Sequence, residues 1–158
     1  MAELYNMEEV TERLILVGVA TSDNDDTKES LEELAELVKT AGAETVAMVI
    51  QNREKPHPGT YLGKGKIEEV LMMVQELGAD GIVCDDELSP AQMKNLEDAL
   101  GCQIMDRTMV ILDIFAQHAS TREGKIQVEL AQLKYRSSRL IGMGNVLSRL
   151  GGGIGTRG

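Results

Sequence analysis

Hydrophobic positions along the 158-residue chain recur in two ways. Short continuous apolar runs mark strands, and apolar residues three and four apart mark helices. Leu14–Val19 is fully apolar, as a strand covered on both faces should be. The acidic Thr21–Glu29 stretch follows as a loop. Ser30-Leu-Glu-Glu33 then has the form of a capping box, opening a helix with Leu31, Leu34, Val38 and Ala41 on one face. Gly42 closes it. Glu44–Gln51 predicts a second strand, centred on Val46, Met48, Val49 and Ile50. A polar loop through Pro56, Pro58 and Gly59 leads to Gly63-Lys-Gly-Lys66. The helix beyond it turns Ile67, Val70, Leu71, Val74 and Leu77 inward and ends at Gly78. Gly81–Cys84 is a third strand, ending at Asp85-Asp86-Glu87. Ser89, Pro90 and Gln92 together specify a helix start, with Met93, Leu96 and Leu100 facing in and Gly101 stopping it. Cys102–Met105 is the fourth strand. Thr108–Ala119 is apolar on most sides and predicts a buried helix.

Strand–helix alternation with short connections means βαβ units and a parallel sheet. Residues 1–119 therefore form an α/β subdomain: a four-stranded parallel sheet with helices on both faces, in the order 2-1-3-4. Binding loops of such sheets gather at the carboxyl ends of the strands. That edge carries Ala20–Asp26, Arg53–Lys66, Asp85–Ser89 and Asp106–Thr108.

Residues 120–158 differ. A helix over Thr121–Ile141 carries Ile126, Leu130, Leu133 and Leu140 in a coiled-coil-like seam, which needs a partner. With no following helix in the sequence, the expectation is the first half of a helical hairpin. The seam should then fold back onto the body or pair with a second copy in a homodimer. The last seventeen residues hold seven glycines, two arginines and no acid. Glycine supplies neither helix propensity nor a side chain to bury, so this stretch suits a cationic, backbone-rich loop laid against a polyanion. Without closure it should be mobile.

Charge sharpens that picture. Residues 120–158 have seven Lys/Arg and two Asp/Glu, a net of +5, so the total of −10 leaves −15 on residues 1–119. The extension should attract RNA while the acidic body stays clear of it. A solvated helix face is the plainer account of the same charges. Cys84 and Cys102 fit buried reduced thiols of a cytoplasmic protein. No apolar run is long enough for a membrane span. The acidic N-terminus is not a signal peptide. No metal-ligand spacing occurs, and His57 and His118 lie far apart in the chain.

Two glycine motifs need separating from what they imitate. Gly59-Thr-Tyr-Leu-Gly-Lys64 has three residues where a Walker loop has four, and Gly65 stands where Ser or Thr is required. Gly63, Lys64, Gly65 and Lys66 still precede a helix N-terminus, where N–H groups and the dipole favour anions; a flexible turn is the alternative. Gly153–Gly158 matches Gly-x-Gly-x-x-Gly but lacks the flanking strand and helix. Asp85, Asp86 and Glu87 suit either Mg²⁺ and acid–base work or, more simply, the start of the next helix. Asp106-Arg107 is either an internal ion pair or an anion contact.

Seven segments in order resemble one family. They are Tyr61–Lys66, Asp85–Pro90, Asp106–Thr108, Leu112–Gln117, Thr121–Lys125, Gln127–Leu133 and Leu147–Gly158. They are similar to the N-terminal domain of the HflX family of ribosome-associated GTPases. The resemblance implies an α/β subdomain, a helical hairpin, and a GTPase domain absent from this chain, which would hold GTP and Mg²⁺; no cofactor is implied here. It implies binding to the large (50S) ribosomal subunit and its RNA, and splitting or rescue of stalled ribosomes. The RNA-contacting residues would be Lys134, Arg136, Arg139, Asn145, Ser148, Arg149, Gly151, Gly152, Gly153 and Arg157. No residue is assigned catalysis. The alternative is a nucleotide-binding α/β domain, enzyme or sensor, holding ATP or GTP through the Gly63–Lys66 loop and the strand-end acids, with Arg107 as a further candidate phosphate contact.

Overall fold

Four strands form one parallel sheet: β1 (Arg13–Ala20), β2 (Glu44–Asn52), β3 (Gly81–Cys84) and β4 (Gln103–Asp106), in the order β2-β1-β3-β4. The computed structural model describes residues 11–22 and 26–140, except the side chains of 139 and 140. The five helices are α1 (Thr27–Thr40), α2 (Lys64–Leu77), α3 (Pro90–Leu100), α4 (Arg107–His118) and α5 (Arg122–Leu140). The expected strand order and helix-covered parallel sheet are both present.

Period-two alternation sorts the strand side chains into two cores. Ile15, Val17, Val19, Ile82 and Ile104 pack with Val70 of α2 and Leu96 and Leu100 of α3. Leu14, Leu16 and Val83 pack on the other face with Leu31, Leu34 and Val38 of α1 and Val110 of α4. α1 crosses β1 at Gly18, where a Cβ would lie 2.9 Å from Thr27 Cγ2, so the close approach requires glycine there.

Three expectations need correction. Ser30 does not cap α1: the helix already begins at Thr27, and the Ser30 N–H donates to the Asp26 carbonyl in a helical bond of 2.8 Å. Ser30 is instead available to Arg107. β4 lies one residue later than predicted, leaving Cys102 half-buried before it. α4 is not buried all round. It rests Val110 and Ile114 on the sheet and leaves Phe115 57% exposed. By contrast, Ser89 caps α3 as predicted. Its Oγ accepts from Gln92 N–H at 3.1 Å, and Gln92 Oε1 accepts from Ser89 N–H at 2.9 Å.

Candidate nucleic-acid interface and the sheet edge behind it

α5 leaves the body at Ala119–Thr121. Thr121 Oγ1 accepts from Gly124 N–H at 2.9 Å, fixing the first turn. The helix lies along α4 with Gly124, Val128, Gln132 and Tyr135 partly buried. These positions recur every three or four residues and form the docked stripe. The predicted seam points the other way: Ile126 is 53%, Leu130 48% and Leu133 61% exposed. The expected fold-back of that seam onto the body does not occur, because a different stripe does the docking. At about 100° per residue, Lys134 and Arg136 fall on either side of Tyr135. Both are exposed. α5 carries five Lys/Arg and two Glu, a net of +3. The Arg139 side chain, and Asn145, Ser148, Arg149, Gly151, Gly152, Gly153 and Arg157 with the tail's expected mobility, lie outside the described residues.

The sheet edge is built differently. Gly63 is the N-cap of α2, and its N–H donates to Gln51 Oε1 at 2.8 Å. A Cβ there would lie 2.7 Å from Arg53 Nη1 and 2.9 Å from Gln51 Nε2, so this glycine leaves room for two polar side chains. Lys64 and Gly65 are exposed, and Lys66 pairs with Glu69 at 2.9 Å. The preceding loop is stitched to α3. His57 and Tyr61 exchange backbone bonds of 3.0 and 2.8 Å. Gln92 Nε2 donates to the His57 carbonyl at 2.8 Å, and Asn95 Nδ2 to the Gly59 carbonyl at 2.7 Å. Tyr61 is buried at φ 63°, and its hydroxyl donates to Asp86 Oδ2 at 2.6 Å. Burial first, then the Asp86 charge, pushes its phenol well above the ordinary range. The sequence marks this segment by its glycines but not its conformation, because a non-glycine left-handed residue has no spacing signature.

The acids at the end of β3 are committed to partners. Asp85 Oδ1 accepts from Arg107 Nη2 at 2.7 Å, and Asp86 accepts from Tyr61. Arg107 also donates to Glu33 Oε1 at 2.8 Å and to the Ser30 carbonyl and hydroxyl at 2.8 and 2.9 Å. Burial opposes the Arg107 charge, but the bonds from Asp85 and Glu33 outweigh it, so its pKa is raised. The internal ion pair, not the anion contact, describes Arg107. Because β2 and β4 are opposite edges of the sheet, Arg107 also stands apart from Gly63–Lys66. The predicted phosphate group is therefore not one cluster. The would-be Walker loop is folded around Tyr61 and Gln51, and among the described residues no group of three or more His, Cys, Asp or Glu comes together to hold a metal.

The α/β body with its long cationic helix matches the N-terminal portion of a GTP-binding GTPase. Residues 28–116 match the family described as GTP-binding GTPase N-terminal, and residues 118–158 match GTP-binding GTPase Middle Region. The chain belongs to the HflX family of GTPases. It is 70% identical over 158 residues to GTPase HflX of Lacrimispora saccharolytica, covering 100% of this chain and 37% of that protein. It is 42% identical over 155 residues to GTPase HflX of Escherichia coli, covering 98% of this chain and 36% of the relative. The chain thus spans about a third of those relatives. The GDP complex of the protein SsGBP matches with a TM-score of 0.65 and 25% identity, covering 82% of this chain and 37% of that one. A GTP-binding protein from Sulfolobus solfataricus in complex with GDP shares the fold, with a TM-score of 0.65 and 24% identity over 85% of this chain and 40% of that one.

Proposed function

We propose that this chain is the ribosome-binding part of an HflX-type GTPase. Its acidic α/β body carries α5 and the Gly/Arg-rich segment beyond it to the RNA of the large ribosomal subunit. There the parent protein acts in splitting or rescuing stalled ribosomes in the cytoplasm. The observation that carries this reading is the docking of α5. The helix is held by one stripe, while Lys134 and Arg136 stand exposed on its flanks with a net of +3 along its length. Among the described residues, no helix is long and apolar enough to cross a membrane.

On this reading Lys134, Arg136 and Arg139 contact backbone phosphates. Arg149 and Arg157 add charge and stacking on unpaired bases, and Gly151–Gly153 let backbone N–H groups approach closely. The body needs no catalytic group for this role; it fixes where the helix starts and how it lies. The test is binding of full-length protein to purified large subunits, with Arg149 and Arg157 changed to alanine. Affinity should fall at least about tenfold at moderate salt, as expected for loss of contacts to charged groups. Unchanged affinity overturns the RNA role.

A further inference from the structure

Asp106 has no exposed surface, yet its carboxylate meets donors from three different elements. Oδ1 accepts from Met109 N–H at 3.1 Å, capping α4. Oδ2 accepts from Leu88 N–H at 3.1 Å, holding the loop between β3 and α3. Oδ2 also accepts from the Tyr135 hydroxyl, on the next-to-last turn of the described part of α5. One buried acid therefore ties the sheet edge, the start of α4 and the far half of α5 together.

The surroundings show why that third bond matters. A pocket of about 280 Å³ lies between α5 and the body, lined by Leu14, Val38, Met105 and Val110 of the body and by Gln132, Tyr135 and Arg136 of the helix. Close packing is therefore incomplete where the helix passes over the sheet, and dispersion contacts hold it weakly there. At the other end the chain turns from α4 into α5 through three residues, Ala119–Thr121. A lever with a short joint, a partly empty interface and a hydrogen bond to a buried carboxylate near its far end is positioned by that bond.

We propose that the Tyr135–Asp106 hydrogen bond is the latch that sets the angle of α5 on the body, making Tyr135 and Asp106 positioning residues for the helix that presents Lys134 and Arg136. This rests on the RNA-binding reading above. Tyr135 lies between the two basic residues, so a rotation that releases it carries both away from their contacts together. The Asp106 carboxylate, being a fully buried acceptor with two N–H donors already in place, is fixed; the phenol on the helix is the part that moves.

The test uses full-length protein with Tyr135→Phe, which keeps the ring and removes only the hydroxyl, alongside Lys134→Ala. Spin labels at Lys39 and Leu130, both exposed, report the distance from α1 to α5 in a Cys102→Ser background. Tyr135→Phe should broaden that distance distribution and weaken large-subunit binding about fivefold or more, with the salt dependence unchanged because no phosphate contact is deleted. Lys134→Ala, at an exposed position outside that pocket, should weaken binding and lower the salt slope without broadening the distances. A Tyr135→Phe distribution as narrow as the parent's, or a broadened one with unchanged binding, overturns the latch. Unchanged binding by Lys134→Ala counts against the phosphate contact instead, while the distance measurement still decides the latch.

Discussion

Tyr61 and Cys84 carry the residue-scale predictions. Tyr61 holds a left-handed φ of 63° with its ring buried and its hydroxyl on Asp86. Replacing it with phenylalanine keeps the ring and leaves Asp86 short of a donor, at a cost of about 1–2 kcal/mol in urea unfolding at neutral pH. Its raised pKa fixes the direction of a pH effect. The folded chain keeps a phenolic proton that the unfolded chain releases near its ordinary value of 10.0. That stabilisation is complete below this pH and is lost as pH rises beyond it. Cys84 behaves alike from its ordinary value of 9.0, its thiol pushed up by burial and then by Asp106. Urea midpoints should hold steady to about pH 8 and fall through pH 9–11, more shallowly above pH 10 in Tyr61→Phe. A flat alkaline profile contradicts this. Iodoacetamide at pH 8 should label half-buried Cys102 well before fully buried Cys84. The buried Cys84 thiol was legible in its apolar run, but the Tyr61 contact was not, since Tyr61 is one residue of a loop and nothing in the sequence pairs it with Asp86, 25 positions on.

At the scale of elements, the sequence was most informative where local chemistry decides and least where tertiary docking does. Ser89-Pro90-Ala-Gln92 carries its own capping bonds, so α3 begins where predicted; Ser89→Ala should cost about 1 kcal/mol in thermal or urea unfolding. Ser30 carries a similar pattern and fails, because Gly18 lets α1 start a turn earlier against β1. The α5 seam was visible as apolar spacing, but the docked stripe was hidden, since Gly124 and Gln132 are not apolar. The two stripes make opposite predictions. Leu130→Glu and Leu133→Glu, on the exposed side, should change the stability of the chain by less than about 0.5 kcal/mol. Val128→Asp, on the stripe against α4, should cost more than about 1 kcal/mol through burial of an unpaired charge. Equal costs on the two sides would mean that the helix docks otherwise. The expected homodimer through the exposed seam can be checked by sedimentation, as a concentration-dependent mass that Leu130→Glu abolishes.

Across the whole molecule, charge and fold divide along one line. A body of −15 carries an extension of +5, and the junction falls at Ala119–Thr121 between α4 and α5. The parallel sheet and its 2-1-3-4 order were legible because βαβ periodicity leaves few topologies open. The candidate site was legible only in part. Lys134 and Arg136 were named from charge and stand exposed, but Arg107 was named from its place at a strand end, and its engagement with Asp85, Glu33 and Ser30 depends on α1 lying beside α4. On the proposed reading, binding through one cationic arm of an acidic body should involve few contacts and a modest salt dependence. The most direct measurement is the affinity of full-length protein for purified large subunits across a salt series, comparing the parent with Lys134→Ala/Arg136→Ala. The proposal predicts weaker binding and a log–log salt slope reduced by about one per lost phosphate contact. An unchanged affinity and slope would contradict it.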